Sequence, residues 1–420
     1  MADEKNNILT DDVIAKKALV LLKNNLVFAR LVYRDYEKIF GKVGDTIRLK
    51  LPFRTKSASG RTLVKQPLID QTIPFKINRQ EHVGLEYTVK DKTLEIEQFA
   101  ERYLKSGMIQ MANKVDRSIA LTLKNAFHTT GTPGTRPGAF IDFANAAAKQ
   151  TTYAVPDDGM RRAVIDPFTC ASLSDEVTKL FKESMVEAAY KKGYKGPVSN
   201  YETYESQNLP KHTVGDHGGT PLIEGTTPIA NGNTITTDGW DASITGLLLV
   251  GDVFTIAGVY GVNPQSYETT GILQEFVVQA DVDTTAGGLA TITFAPSMNN
   301  GTLTTTNEDG NIVGLGAYQN ITALPADDAP ITVLGAANTT YEQNYLFHRD
   351  AIALCVVNLE LPKSATVKER VYDPESGLSL LLTQAYDINE MSEITRIDIV
   401  WGAQLIYPEL AMKQWGAVSG

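Results

Sequence analysis

The stretch LEIEQFAERYLKSGMIQMANKVDRSIALTLKNAF, residues Leu94–Phe127, decides the fold. Phe99, Tyr103, Met108, Met111, Val115, Ile119 and Leu123 recur along it at three-to-five-residue steps, the spacing of one helical face. No proline interrupts it, and Gly107 is its weak point. At a rise of 1.5 Å per residue the segment spans roughly 50 Å. That is far longer than the helix of an average domain, so it reads as a strut.

Working back from the strut, three segments alternate with a period of two. They are Ile47, Leu49 and Leu51; Ile73, Phe75 and Ile77; and Val83, Leu85, Tyr87 and Val89. Each predicts a strand with one buried face. Between the first two lies Phe53–Gln66, polar and without a core pattern, holding Arg54, Lys56, Arg61 and Lys65. This predicts a long hairpin with a basic tip and no core of its own. The helix start that follows carries Glu95, Glu97 and Glu101. A basic tip of one copy and the acidic face of the next are candidate inter-subunit contacts; the bland reading is a solvated charge run. Further back, Thr10–Asp12 cap a helix. Ile14, Ala18, Leu21, Phe28 and Val32 carry it to about Phe40–Gly41.

Forward of the strut, residues 151–211 read as mixed α/β. A strand at Arg162–Ile165 ends at Pro167, and a helix at Ser174–Tyr190 starts on Ser172 or Ser174. Then comes a sharp boundary. No Lys or Arg occurs between Lys211 and Arg349, a gap of 137 residues that holds fourteen acidic ones. The gap carries −14; the rest, with 39 basic and 35 acidic residues, carries +4. Short strands at Leu247–Val250, Val253–Ala257, Gln274–Val278 and Ala290–Phe294, punctuated by Gly, Asn and Asp, predict a small antiparallel barrel or sandwich there. Beyond it, Asn344–Val357, Leu378–Leu382 and Ile394–Ile399 continue as strands, and Pro408–Trp415 reads as a short helix.

The 420 residues are too many for one ordinary domain. A net charge of −10 argues against a dedicated DNA-binding protein. No apolar run approaches the ~20 residues of a membrane span. Met1–Asn7 lacks the apolar core of a signal peptide, which points to a cytosol. Cys170 and Cys355 stand far apart and read as inert buried thiols. The one tight histidine cluster, His212, Asp216 and His217, is a ligand short of a metal site and reads as a solvated loop. Gly310–Gly316 has no dinucleotide-binding context. The pairs Asp157-Asp158 and Asp327-Asp328 read as turns. No nucleophile, P-loop or zincin motif is present, so no enzyme, cofactor or metal is expected.

The order of elements resembles the Hong Kong 97 capsid fold, an α+β fold with an N-terminal arm, an extended hairpin loop, a long spine helix and an axial domain. Several stretches are similar to the coat proteins of short-tailed, P-twenty-two-like phages, which carry an inserted small antiparallel β-barrel domain. They are Asn25-Leu-Val-Phe-Ala-Arg, Arg34-Asp-Tyr-Glu with Gly44-Asp-Thr-Ile, Tyr204-Glu-Ser-Gln-Asn-Leu-Pro, Gly251-Asp-Val-Phe-Thr-Ile-Ala-Gly-Val, Phe347-His-Arg-Asp-Ala-Ile-Ala, and Arg396–Tyr407 with Trp401.

The resemblance implies an arm at 1–45, loop and peripheral domain at 46–150, axial domain at 151–214 and 346–420, and insert at 215–345. It implies a major capsid protein whose pentamers and hexamers close into an icosahedral shell around double-stranded DNA, bound without sequence specificity and with no membrane. It also implies a scaffolding protein, a portal, assembly in the host cytoplasm and a final place in the virion capsid. A decoration or tail protein, or an encapsulin-like compartment shell, is the alternative. In such coat proteins the inserts can meet across capsomers through opposite charges. An insert without Lys or Arg cannot do so with its twin, so its charged contacts must go to basic residues of the base.

Overall fold

The computed structural model describes residues 26–34, 46–50, 54–57, 60–61, 72–88, 105–178, 196–225, 232–302, 304–306, 312–314, 316–362, 367–373, 378–389 and 391–419, with positions 16, 18, 20 and 22. The chain forms two compact units. One comprises Met1–Leu49, Pro74–Ala120 and Ile352–Gln404; the other comprises Lys50–Ile73, Leu121–Ala351 and Leu405–Gly420.

In the first unit the spine helix is described over Lys105–Thr122. Met108, Met111, Ala112, Val115, Ile119 and Ala120 are buried along it, one stripe at helical spacing. Gly107 has a packing role in the helix: a Cβ there would lie 2.7 Å from Val83 Cγ1, so glycine lets a strand approach. Residues 94–104, where the helix was expected to begin, lie outside the described residues.

Beside it, Ile352–Val356, Ser392–Leu405, Leu378–Asp387 and Val367–Asp373 form a sheet in that order. Arg79–Thr88 also runs antiparallel to Ser392–Trp401, from Thr88 opposite Ser392 to Arg79 opposite Trp401. Thr46–Lys50 and Thr72–Lys76 pair as the expected hairpin. Gly402 is fixed by close approach, since a Cβ would sit 2.5 Å from the Lys76 carbonyl.

The N-terminal helix does not run through to Gly41. Positions 16, 18, 20 and 22 are helical, the chain bends at Val27, and among the described residues 28–34 the helix covers Phe28–Leu31 and stops before Val32; residues 35–41 lie outside the described residues. Two interactions outcompete the helical period. Asp116 takes the Val27 and Ala29 amides, and Tyr33 exchanges backbone bonds with Ile352 and Leu354.

In the second unit a mixed sheet runs His128–Thr130, Ala411–Val418, Thr340–His348, Arg161–Ile165, Tyr201–Glu205, Pro197–Val198. The predicted Pro408–Trp415 helix is therefore a correction. Only Pro408–Leu410 makes a 3-10 turn, and Ala411–Val418 is a strand paired on both sides. Asn344–Val357 is two strands split by a 3-10 turn at Arg349–Ala351. The helix after Pro167 spans Pro167–Thr178 and is capped by Asp166, whose Oδ1 accepts the Phe168 and Thr169 amides. Ser172 and Ser174 instead bond back to carbonyls one turn earlier.

The expected barrel is present. Ile331–Val333, Val253–Val262, Thr269–Val278, Ala290–Ala295, Thr234–Trp240 and Gly219–Ile223 pair in that order. A bridge from Leu222 to Pro330 closes the ring, with Ile223 and Ala329 bonded at 3.1 Å. Phe254, Phe276 and Phe294 fill it, with centroids 5.1–5.9 Å apart. Burying each contributes roughly 1.5–3 kcal/mol. Leu247–Val250 is not a strand: Asp252 and Asp281 take the Leu249 and Val250 amides, leaving one bridge, Leu248 to Val282.

Candidate functional site

A shell protein works through surfaces and joints, and the charged residues divide accordingly. At the hairpin tip, Arg54 donates to Glu409, with its guanidinium 5.9 Å from the centre of the Tyr318 ring. Lys56 Nζ lies 4.7 Å from the centre of the Tyr267 ring. The Tyr267 hydroxyl is 3.2 Å from the carbonyls of Thr55 and Ala317. Cations over aromatic faces contribute about 0.5–1 kcal/mol each when exposed, and an exposed ion pair about as much. Arg61 is exposed. Lys65, Glu95, Glu97 and Glu101 lie outside the described residues. The acid that receives Arg54 here is Glu409, which the sequence reading did not single out.

At the foot of the barrel a buried charge cluster forms. Glu275, on the strand Thr269–Val278, accepts from Lys149 Nζ at 2.8 Å, from the Thr129 amide at 2.9 Å and from the Thr129 hydroxyl at 2.6 Å. His128 Nδ1 is 3.6 Å away. Burial alone would raise the Glu275 carboxyl, but Lys149 and His128 outweigh it and hold the group at about 2. Burial pushes the His128 imidazole down against Glu275, which pulls the other way.

Nearby, Asp252 meets His212 Nε2 at 2.7 Å and accepts the Gly215 amide at 3.1 Å. His212 is thus buried and paired, not part of a solvated loop. Its imidazole is pushed down by burial, opposed by Asp252. Lys413 is fully buried and donates to the carbonyls of Gly251 at 2.9 Å and Lys124 at 3.1 Å. Desolvation lowers its ammonium to about 7, opposed by Asp252 and Glu275. The barrel's buried acids thus take their counter-charges from outside the barrel, as its missing Lys and Arg require.

In the first unit Asp116 is fully buried on the spine helix and accepts the Val27 amide at 2.6 Å and the Ala29 amide at 3.4 Å. Burial raises its carboxyl to about 7, against those amides, the Phe28 amide and Arg30, which lower it.

Among the described residues no group of three or more His, Cys, Asp or Glu is placed to hold a metal ion. Among them no helix is long and apolar enough to cross a membrane. Cys170 and Cys355 are both buried thiols. The family described as "P22 coat protein - gene protein 5" matches residues 1–415. The chain belongs to the P22 coat protein family.

This coat protein is a structural major capsid protein of a tailed phage, and its place is the virion capsid. It assembles with its own copies into a shell, and its α+β architecture is that of a Hong Kong 97-like capsid fold with an inserted barrel. Among solved structures it is similar to a chain of Mycobacterium phage Che8, at 14% identity and TM-score 0.47, covering 93% of this chain and 90% of that one. A capsid chain of the cyanophage P-SCSP1u gives 11% identity and TM-score 0.43, covering 94% and 89%. The CUS-3 coat protein I-domain gives 32% identity and TM-score 0.17, covering 29% of this chain and 93% of that one. No curated protein matches.

The coat protein's joint residues Glu275, Asp252, Lys149 and Lys413 carry one legible signal, the cation-free stretch, which says that buried acids there need outside partners. Asp116 carries none, because its partners lie 89 and 87 residues away.

Proposed function

We propose that this coat protein forms pentamers and hexamers that close into an icosahedral shell around double-stranded DNA in the host cytoplasm. A scaffolding protein guides assembly and a portal occupies one vertex. In this reading the subunit has an arm at 1–45, a loop and peripheral part at 46–150, an axial part at 151–214 and 346–420, and an insert at 215–345. It contributes no catalysis and binds DNA without sequence specificity. The insert stands on the outer face, because a domain carrying −14 on the inner wall would repel the packed polyanion at short range.

The hairpin tip is the proposed bridge between copies. What supports it is the tip's charge, four cations in a stretch without a core pattern; within one chain Arg54 reaches Glu409 and Tyr318, and Lys56 reaches Tyr267. Such contacts are individually weak and acquire weight by repetition around a shell. The partners proposed from the sequence for the tip, Arg61 and Lys65 included, are Glu95, Glu97 and Glu101 of a neighbour.

The test is a variant with Arg54, Lys56, Arg61 and Lys65 all changed to Glu, co-expressed with neighbouring phage genes. Folded subunits with a reduced shell yield by sedimentation are the expected outcome. Shells at wild-type yield would remove the tip from the interface. Protease access to the insert in DNA-filled particles tests its outward placement, and protection there would overturn it.

A further inference from the structure

The chain enters and leaves the barrel through a two-stranded stem. His212–Thr213 pairs with Thr340–Tyr341. Val214 donates to the Thr339 carbonyl at 3.0 Å, and Asn338 to the Gly215 carbonyl at 3.2 Å. Thr340 and Tyr341 meet a third strand at Ser419 and Val418, but beyond them Val214–Gly215 and Asn338–Thr339 pair as two strands alone among the described residues, a marginal arrangement. They bend and twist readily, so a stem of this kind is a poor device for aiming the body it carries. Gly215 sharpens the point, because a Cβ there would meet the Leu247 carbonyl at 2.3 Å.

Contacts that could aim the barrel also lie off the stem: Lys413 donates to the Gly251 carbonyl, Phe127 packs with Val253 and Val277, and the strand Thr269–Val278 and the 263 turn add the ones that set direction by charge. Glu275 is received by Lys149, by the Thr129 amide and by the Thr129 hydroxyl. Lys149 also donates to the Thr129 carbonyl at 2.7 Å, which ties the three residues into one closed set. Asn263 donates to the Thr152 carbonyl at 2.7 Å. Lys149 and Thr152 both sit in the last turn of the helix Phe140–Thr152, so one helix end holds the barrel at two points. The charged partners are largely buried, with side-chain exposures of 15% and 9%.

We infer that the Glu275–Lys149 clamp, and not the outer two-stranded part of the stem, fixes the direction in which the barrel stands on the rest of the coat protein. Glu275 and Lys149 are positioning residues. The barrel has no Lys or Arg of its own to offer Glu275, so the carboxylate is satisfied in one orientation only. A buried carboxylate without its counter-charge is costly, which makes that orientation singular. A pairing between two neutral groups would be more permissive.

The experiment uses the full chain, first as free subunit and then in shells. In Glu275→Gln the Thr129 amide should exchange with solvent at least tenfold faster, while the Val214 amide of the stem and the Val278 amide of the barrel keep their wild-type rates. In shells of the same variant, image reconstruction should show a blurred barrel over a sharp base. Lys149→Met should reproduce both effects, and Lys149→Arg, which keeps a donor and a charge, should restore both.

Equal acceleration at Thr129 and Val214, or a barrel as sharp as wild type in Glu275→Gln shells, would overturn the clamp. Should Glu275→Gln not accumulate, Thr129→Val removes one donor and keeps the ion pair. It should give a smaller rise in barrel motion, and no rise would likewise count against the inference. Exchange on the free subunit needs no shell, so its outcome is independent of how the copies assemble.

Discussion

Asp116, in the middle of the spine helix, accepts the backbone amide of Val27 at 2.6 Å. One carboxylate thereby anchors the N-terminal arm where its helix bends. The amides it takes would otherwise be buried donors without partners, a loss of about 1–3 kcal/mol.

The first prediction is the pH dependence of this anchor. The Asp116 carboxyl is raised to about 7, above its value of about 3.9 in an unfolded chain. The folded state therefore prefers the protonated acid. Its contribution is fully present below pH ~4 and is lost as pH rises through 7. At about 1.36 kcal/mol per pKa unit, the swing is on the order of 4 kcal/mol. In Asp116→Asn the denaturation midpoint should lack this decline between pH 4 and 7. An unchanged pH profile would show that another group sets it.

Lys413 has the opposite sign. Its ammonium is lowered to about 7, against about 10.4 unfolded. Below pH 7 the folded state bears the full cost of burying the charge, and that cost is relieved as pH rises toward 10. Wild type should therefore gain stability between pH 7 and 10, and Lys413→Met should not. At pH 6 the variant should be as stable as wild type or more so, since apolar replacement of a buried charge is often neutral or favourable. Thermal midpoints across that range check it.

Breaking the strut tests the helix itself. Val115 is buried mid-helix, where proline costs ~3 kcal/mol or more. Val115→Pro should abolish soluble accumulation, measured as the soluble fraction after expression. Normal assembly would contradict the role given to the helix.

The barrel fragment 215–345 is expected to fold alone, because it has a core of its own around Phe254, Phe276 and Phe294. A cooperative thermal transition should be seen by circular dichroism. Phe276→Ala should lower or abolish it, at a cost of about 3–5 kcal/mol. A fragment with no transition would show that the core depends on the base.

What was legible in the sequence was periodic. Met108 to Ile119 shows a helix by spacing alone, and Val83 to Tyr87 a strand. The cation-free stretch marks the barrel by composition. What was misread depends on partners distant in sequence. Ala411-Met-Lys-Gln is made of good helix formers, yet strands on both sides claim its backbone. Thr234–Trp240 escaped notice because Thr237, a polar residue, fills one of its inward positions and breaks the apolar alternation. Phe28 lies on a helical stripe, but the bend before it is set by Asp116. His212 looked solvated because the acid that buries it, Asp252, is forty residues on.

The closure of the barrel between Leu222 and Pro330 has a consequence for a protein that exists crowded against itself. An open six-stranded sheet would present two raw margins of unpaired amides and carbonyls, each a template for zippering onto the same margin of a neighbour. A ring has no margin. Copies can be brought to the packing of a finished particle without the inserts recruiting one another into fibrous tangles.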